Sequence, residues 1–160
     1  MLNKENKIIY ELKAVANGKI IPLEELGDDI FAKRILGDGA AVMLSDGNLV
    51  SPADGVVTQI SEEKHLYIIS TPEGVNVIVH IGLDTVQLRG EGFHPHVVQG
   101  QQVKAGDRLV TVDLVNMLAN GTDMRTPVII AGEGVTDELE VCLGDAHAGD
   151  GVLVLSLIHI

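Results

Sequence analysis

Aromatic side chains are almost missing from this 160-residue chain, which has two Phe, two Tyr and no Trp. Its core must be filled by branched aliphatics, because hydrophobic residues still make up 46% of the sequence. Cysteine is equally scarce. The single Cys142 excludes an intramolecular disulfide and suits a reducing compartment, and its place in the apolar run Val141-Cys142-Leu143 predicts a core-filling role. Basic residues are outnumbered, 11 Lys and Arg against 23 Asp and Glu, for a net charge of -12. Such a surface repels nucleic-acid phosphates and anionic lipid, keeps the chain in solution, and would welcome a basic protein partner. No apolar stretch approaches a membrane span, and the opening MLNKENKIIY lacks the apolar centre of a signal peptide. The expectation is a cytoplasmic protein of one domain, long enough to bury a core of its own.

Glycine, by contrast, is plentiful. Eighteen glycines, several in Asp-Gly turns, cut the chain into short runs rich in Val, Ile and Leu. The runs are KII, AAVML, NLVSP, GVVTQI, HLYIIS, VNVIVHIGL, RLVTVDL, PVIIA, ELEVCL and GVLVLSLIHI. Many short strands joined by tight turns predict an all-β sandwich or barrel. Only two places read as helix. In DLVNMLANG, Asp113 is placed as a cap, Leu114, Met117 and Leu118 share a face, and Gly121 is a stop. DDIFAKRILG predicts one or two turns between Asp28 or Asp29 and Gly37. VKAGDRLVTV (103–112) and AHAGDGVLVL (146–155) repeat an Ala-Gly-Asp turn before a strand at an offset of 43, an echo faint enough for chance.

One strand stands apart. Val75, Val77, Val79 and Ile81 alternate as a buried face should, which puts His80 on the opposite face with Asn76 and Ile78. A histidine in such a strand is ordinarily a hydrogen-bonded structural residue. A second one, His65, lies in the preceding strand, beyond the turn Thr71-Pro72-Glu73-Gly74, whose Pro and Gly positions suit a type I turn. A two- or four-residue loop pairs Ser70 with Val75, Ile68 with Val77 and His65 with His80. The two Cβ atoms would then lie about 4.5–5.5 Å apart. A three-residue loop with a bulge at Gly74 shifts the register by one and puts the histidines on opposite faces. Touching imidazoles resist joint protonation, which keeps a neutral nucleophilic nitrogen available near pH 7. Such a pair can hold a metal, or one ring can accept a phosphoryl group while the other donates a hydrogen bond to it.

VHIGLDTVQLRGEGF, together with GDG at 37–39, SPADGVV at 51–57, GQQVKAGD at 100–107 and TPVII from Thr126, resembles the glucose-type IIA component of the phosphoenolpyruvate-dependent sugar phosphotransferase system. The likeness runs from about Ile8 to the C-terminus, and its HIGLDT…GEGF block is specific. The resemblance implies an antiparallel β-sandwich, or barrel-sandwich hybrid, with one or two short helices, forming a single domain over 8–160 behind a tail of residues 1–7. It implies a phosphotransferase component needing no cofactor. His80 would take a phosphoryl group from phospho-HPr, as tele-phosphohistidine, and pass it to a cysteine of the IIB domain of a sugar permease. His65 would hold the phosphoryl oxygens, since preorganised donors and positioning carry such transfers. By position, Ile30, Phe31 and Leu36 match an apolar ring that docks HPr, and Asp28 and Asp84 match acidic positions at its edge. Core packing accounts for Phe31 and Leu36 as well, and a turn accounts for Asp84.

The chain departs from that pattern twice. Where the family usually has a threonine, two residues before the upstream histidine, it has Glu63, which would either repel a phosphoryl group or bond to an imidazole N–H. Only about seven residues precede the match, too few for an amphipathic membrane anchor, so a stand-alone cytosolic subunit is expected.

Rival readings come from other classes. His80 and Asp84 as HxxxD, with His94 and His96 as HxH, resemble the zinc ligands of lysostaphin-type peptidases, with a fourth position open for water. Adventitious zinc bridging His65 and His80 is a weaker variant. GQQVKAGDRL suggests a lipoyl-type carrier, although Lys104 lacks the flanking residues of a hairpin-tip acceptor. A regulatory IIA-like protein that is never phosphorylated is a further possibility, opposed by the presence of both His65 and His80.

Overall fold

The computed structural model describes residues 7–33, 36–131, 138–150 and 152–159. Its largest sheet uses β2 (Gly18–Pro22), β3 (Asp38–Leu44), β5 (Gly55–Ile60), β6 (Leu66–Ser70), β7 (Asn76–His80), β9 (Gln102–Val103), β11 (Arg125–Ala131) and β13 (Gly144–Ala146). These eight strands run in the order β13-β2-β3-β11-β7-β6-β5-β9. Three more, β4 (Asn48–Val50), β10 (Arg108–Val112) and β8 (Phe93–Pro95), form a second sheet in that order. The third sheet joins β1 (Lys7–Lys13), β14 (Val152–His159) and β12 (Glu138–Val141). Every strand pairing is antiparallel. The fold is the expected all-β sandwich, and every apolar run of the sequence contributes to a strand.

Alternation decides which side chains meet. Val57, Tyr67, Ile69, Val77 and Val79 of the large sheet share the main buried core with Leu49, Leu109, Val110 and Phe93 of the second sheet. The opposite face of the large sheet carries a smaller cluster of Ile21, Leu23, Leu26, Phe31, Ala41 and Ile129, with Ile78 and Leu83 packed against it. That cluster exists because residues 23–33 fold back over the sheet, first as a 3₁₀ turn at Leu23–Leu26.

The helix expected after Asp113 is present as α1 (Leu114–Ala119), with Leu114 and Met117 buried. Gly121, in the left-handed region at φ 78°, donates to the Leu118 carbonyl, and Thr122 donates to that of Met117. This is the Schellman ending that a glycine stop permits. Between Asp28 and Gly37 the described residues hold a single turn at 31–33, with residues 34 and 35 outside the description.

Two open alternatives are decided and one expectation, for Cys142, needs correction. The β6–β7 connection is the three-residue loop Pro72–Gly74: Gly74, at φ 85°, donates to the Thr71 carbonyl, and Thr71 donates to Val75. The register is therefore Ile68 with Ile78, Tyr67 with Val79 and Leu66, not His65, with His80. Cys142 lies beyond β12 and is only half-buried, because its run ends in a loop beside the exposed Leu143. The Ala-Gly-Asp echo has a physical counterpart, since a Cβ on Gly149 would stand 3.0 Å from the Gly106 Cα. The two turns abut, and it is at Gly149 that a side chain would be crowded.

Candidate active site

His80 ends β7 on the outer face of the large sheet, beside Ile78 and the smaller cluster. Just after it the chain turns sharply. Gly82, at φ 76°, swings its carbonyl back to within 2.7 Å of His80 Nδ1. A carbonyl only accepts, so Nδ1 carries the proton and donates it, and Nε2 keeps its lone pair. No other residue fits at 82, where a Cβ would meet Thr85 Cγ2 at 2.5 Å and the Asp123 carbonyl at 2.8 Å. The turn is pinned from below by buried Thr126, whose Oγ1 accepts from the Gly82 N–H at 3.3 Å and donates to the Met124 carbonyl.

His65 reaches the same place by a different route. The turn Ser61–Lys64 puts Lys64 in the left-handed region at φ 65°, so His65 enters before the pleat of β6 begins and strand parity does not govern it. Its carbonyl accepts from the Ile81 N–H at 2.7 Å, which fixes it across from the end of β7. The two rings meet edge-on, with centroids 4.9 Å apart and planes at 84°. Sequence reasoning brought the right residues together on a register the chain does not use.

Phe31 closes the other side of His80, at 5.0 Å between centroids and 57° between planes. It is held there by Asp28, whose carboxylate accepts from the backbone N–H groups of Ile30, Phe31 and Ala32 at 3.1, 2.8 and 2.7 Å. Burial pushes the Asp28 carboxyl up, but those three donors outweigh it and hold it below the ordinary value. Burial lowers the His80 pKa below 6.5, against the opposing pull of the Gly82 carbonyl, Asp28 and Asp84. His65 is lowered too, by burial and then by His80, with Glu63 pulling the other way. Both rings are thereby kept neutral near pH 7.

Of the expected docking residues, Ile30 and Leu36 are 48% and 46% exposed, whereas Phe31 at 7% is a wall of the site. Asp84 is exposed and stands in the left-handed region before the 3₁₀ turn Thr85–Leu88. Among the described residues no hydrogen bond joins Glu63 to either imidazole; the partner of His65 Nδ1 is Ser61 Oγ, at 3.2 Å.

Sequence reasoning missed several contributors. Val86, 46% exposed, adds an apolar side chain on the turn after Asp84. Arg125 donates to both oxygens of Asp123 and to the carbonyls of Glu25 and Leu26, while the Asp123 carbonyl accepts from Leu83 N–H at 2.8 Å. This pair ties the segment carrying Asp28 and Phe31 to the segment carrying Gly82. The only sequence signal for it was a charged pair beside TPVII.

The zinc-hydrolase set does not assemble. His94 stands on β8 of the second sheet and His96 just beyond its end, where His94 Nε2 meets Asp113 and His96 Nε2 meets Thr111. No group of three or more His, Cys, Asp or Glu able to hold a metal ion exists among the described residues.

A family model described as phosphoenolpyruvate-dependent sugar phosphotransferase system, EIIA 1, matches residues 10–134. The chain belongs to that family. An EIIA relative, the PTS system glucose-specific EIIA component of Oceanobacillus iheyensis, is 37% identical over 147 residues, covering 90% of this chain and 89% of its own length. The solved structure of glucose permease IIA from Mycoplasma capricolum superposes with a TM-score of 0.85 at 37% identity, covering 92% of this chain and 96% of that one. The PTS system glucose-specific EIICBA component of Streptococcus pneumoniae is 47% identical over 119 residues. This chain spans only 16% of that relative, whose name places EIIA in one polypeptide with EIIC and EIIB. Family membership makes this chain a phosphotransferase-system component.

Proposed function

We propose that the chain is a phosphocarrier in which His80 accepts a phosphoryl group from phospho-HPr and passes it to a cysteine of a cognate IIB domain during sugar uptake. The observation that carries this is the 2.7 Å contact between His80 Nδ1 and the Gly82 carbonyl, which leaves Nε2 as the only nucleophilic ring atom. In the first step the Nε2 lone pair attacks phosphorus in line. The bond from phosphorus to the donor histidine nitrogen breaks, and its electron pair returns to that ring. In the second step a IIB thiolate attacks phosphorus, and the electron pair returns to His80 Nε2. No proton leaves Nδ1 in either step.

His65 stabilises the phosphoryl oxygens by donating from its ring, and positioning supplies most of the acceleration. Docking uses the exposed Ile30, Leu36 and Val86 around the histidines, with Asp28 and Asp84 at the rim. The net charge of -12 favours a basic donor by speeding encounter. A IIB acceptor fits the fusion of EIIA to EIIB in the streptococcal relative. The work is done in the cytoplasm, and no helix among the described residues is long and apolar enough to cross a membrane.

The test is incubation with phosphoenolpyruvate, enzyme I and HPr. Acid-labile phosphate is expected on the wild type and absent from His80→Gln. Label surviving in His80→Gln would remove His80 as acceptor. His65→Gln is expected to accept label but fail in onward transfer to IIB.

A further inference from the structure

Ser61 is half-buried in the turn that delivers His65, and its hydroxyl sits between two groups. The Leu66 backbone N–H donates to Ser61 Oγ at 3.1 Å, and His65 Nδ1 lies 3.2 Å from the same atom. An amide N–H can only donate, so it occupies an Oγ lone pair and leaves the hydroxyl proton to be placed elsewhere. Among the described residues, His65 Nδ1 is the one other group within hydrogen-bond reach of this hydroxyl. Glu63, two residues before the ring in sequence, makes no hydrogen bond to it among the described residues. His65 is itself 7% exposed, so water has little access to reassign the proton.

We propose that Ser61 is a positioning residue for the transfer reaction: its O–H donates to His65 Nδ1 and thereby fixes the His65 proton on Nε2, the ring's other polar atom. The two histidines then have complementary states. His80 is protonated at Nδ1 through Gly82 and nucleophilic at Nε2; His65 is the donor at Nε2 through Ser61. An anionic phosphoryl group arriving on His80 finds a hydrogen-bond donor beside it without any proton having to move first. Glu63 contributes no hydrogen bond to this arrangement and acts on His65 only through its charge. The role in transfer rests on the phosphocarrier reading, whereas the tautomer does not.

The experiment therefore has two arms. Long-range ¹H–¹⁵N NMR of the unphosphorylated protein at neutral pH reads the His65 tautomer directly. Wild type is expected to show a protonated Nε2 and a bare Nδ1, Ser61→Ala a mixture, and Ser61→Thr the wild-type pattern. In the second arm, Ser61→Ala is expected to slow onward transfer to IIB about tenfold, the worth of one hydrogen bond to a charged state, with recovery in Ser61→Thr. A wild-type His65 protonated at Nδ1 would overturn the proposal. So would a Ser61→Ala protein with an unchanged tautomer and unchanged transfer. Should wild type accept no phosphoryl group at all, the phosphocarrier reading falls, and the NMR arm still decides what Ser61 does to His65.

Discussion

The edge of the His65 ring meets His80 at 4.9 Å between centroids, so a proton added to one ring is opposed by charge on the other. Burial lowers the His65 pKa first, contact with His80 lowers it further, and Glu63 raises it. His80→Gln is therefore expected to raise the His65 midpoint, and Glu63→Gln to lower it. NMR titration of the imidazole C–H signals measures both. A His65 midpoint that stays put in His80→Gln would break the coupling inferred from the ring contact.

The same shifts dictate how stability responds to acid. Both histidines titrate below 6.5 in the folded chain, so as pH falls through that value the unfolded chain takes up protons first. Stability is full above about 6.5 and declines below it through this pair. Asp28 and Asp123, held below 3.8 by backbone donors and by Arg125 respectively, keep their contribution until the pH approaches the carboxylate range. Urea midpoints between pH 7 and 5 are expected to fall in wild type. In the double variant His65→Gln/His80→Gln they should stay nearly flat.

Tyr67 offers a stability gain. It is fully buried in the main core, and its hydroxyl has no hydrogen-bond partner among the described residues. Burial pushes the phenol pKa up, as expected where nothing supports the charged form. Removing an unsatisfied buried hydroxyl relieves a desolvation penalty, so Tyr67→Phe is expected to stabilise the fold by about 1 kcal/mol. Denaturant unfolding checks the sign; a loss of stability would mean that the hydroxyl has a partner in solution.

Gly82 tests the placement of His80. Gly82→Ala puts a methyl where Thr85 and the Asp123 carbonyl already are, which forces the turn open and withdraws the carbonyl from Nδ1. Labelling from phospho-HPr is expected to drop roughly 100-fold, since a displacement of about 1 Å costs that much in a reaction governed by positioning. Circular dichroism should show the β-sandwich still folded.

The sandwich was legible because branched aliphatics alternate in short runs between glycine turns, and alternation has few solutions. Val75, Val77, Val79 and Ile81 could face only the core, and His80 only the other side. The helix cap at Gly121 was equally local. What escaped the sequence was set by contacts between distant residues. The hairpin register depended on whether Gly74 took the left-handed region, a choice the residues Thr71–Gly74 left open. Arg125 reaches back 100 residues to Glu25, and no pattern within either segment announces it. Ser61 and Glu63 share one turn before His65, and spacing alone does not tell which side chain of a turn points at a ring.

His80, His65, Phe31 and the rim around them all occupy one outer face of one sheet, and the opposite face is filled by the main core. On the phosphocarrier reading this leaves a single berth for two visitors. Donor and acceptor must alternate there, each leaving before the other arrives, so an excess of either one obstructs its counterpart. Throughput would then follow the balance between the two partners' concentrations more than the affinity of either, and tightening one docking contact would slow the relay as a whole.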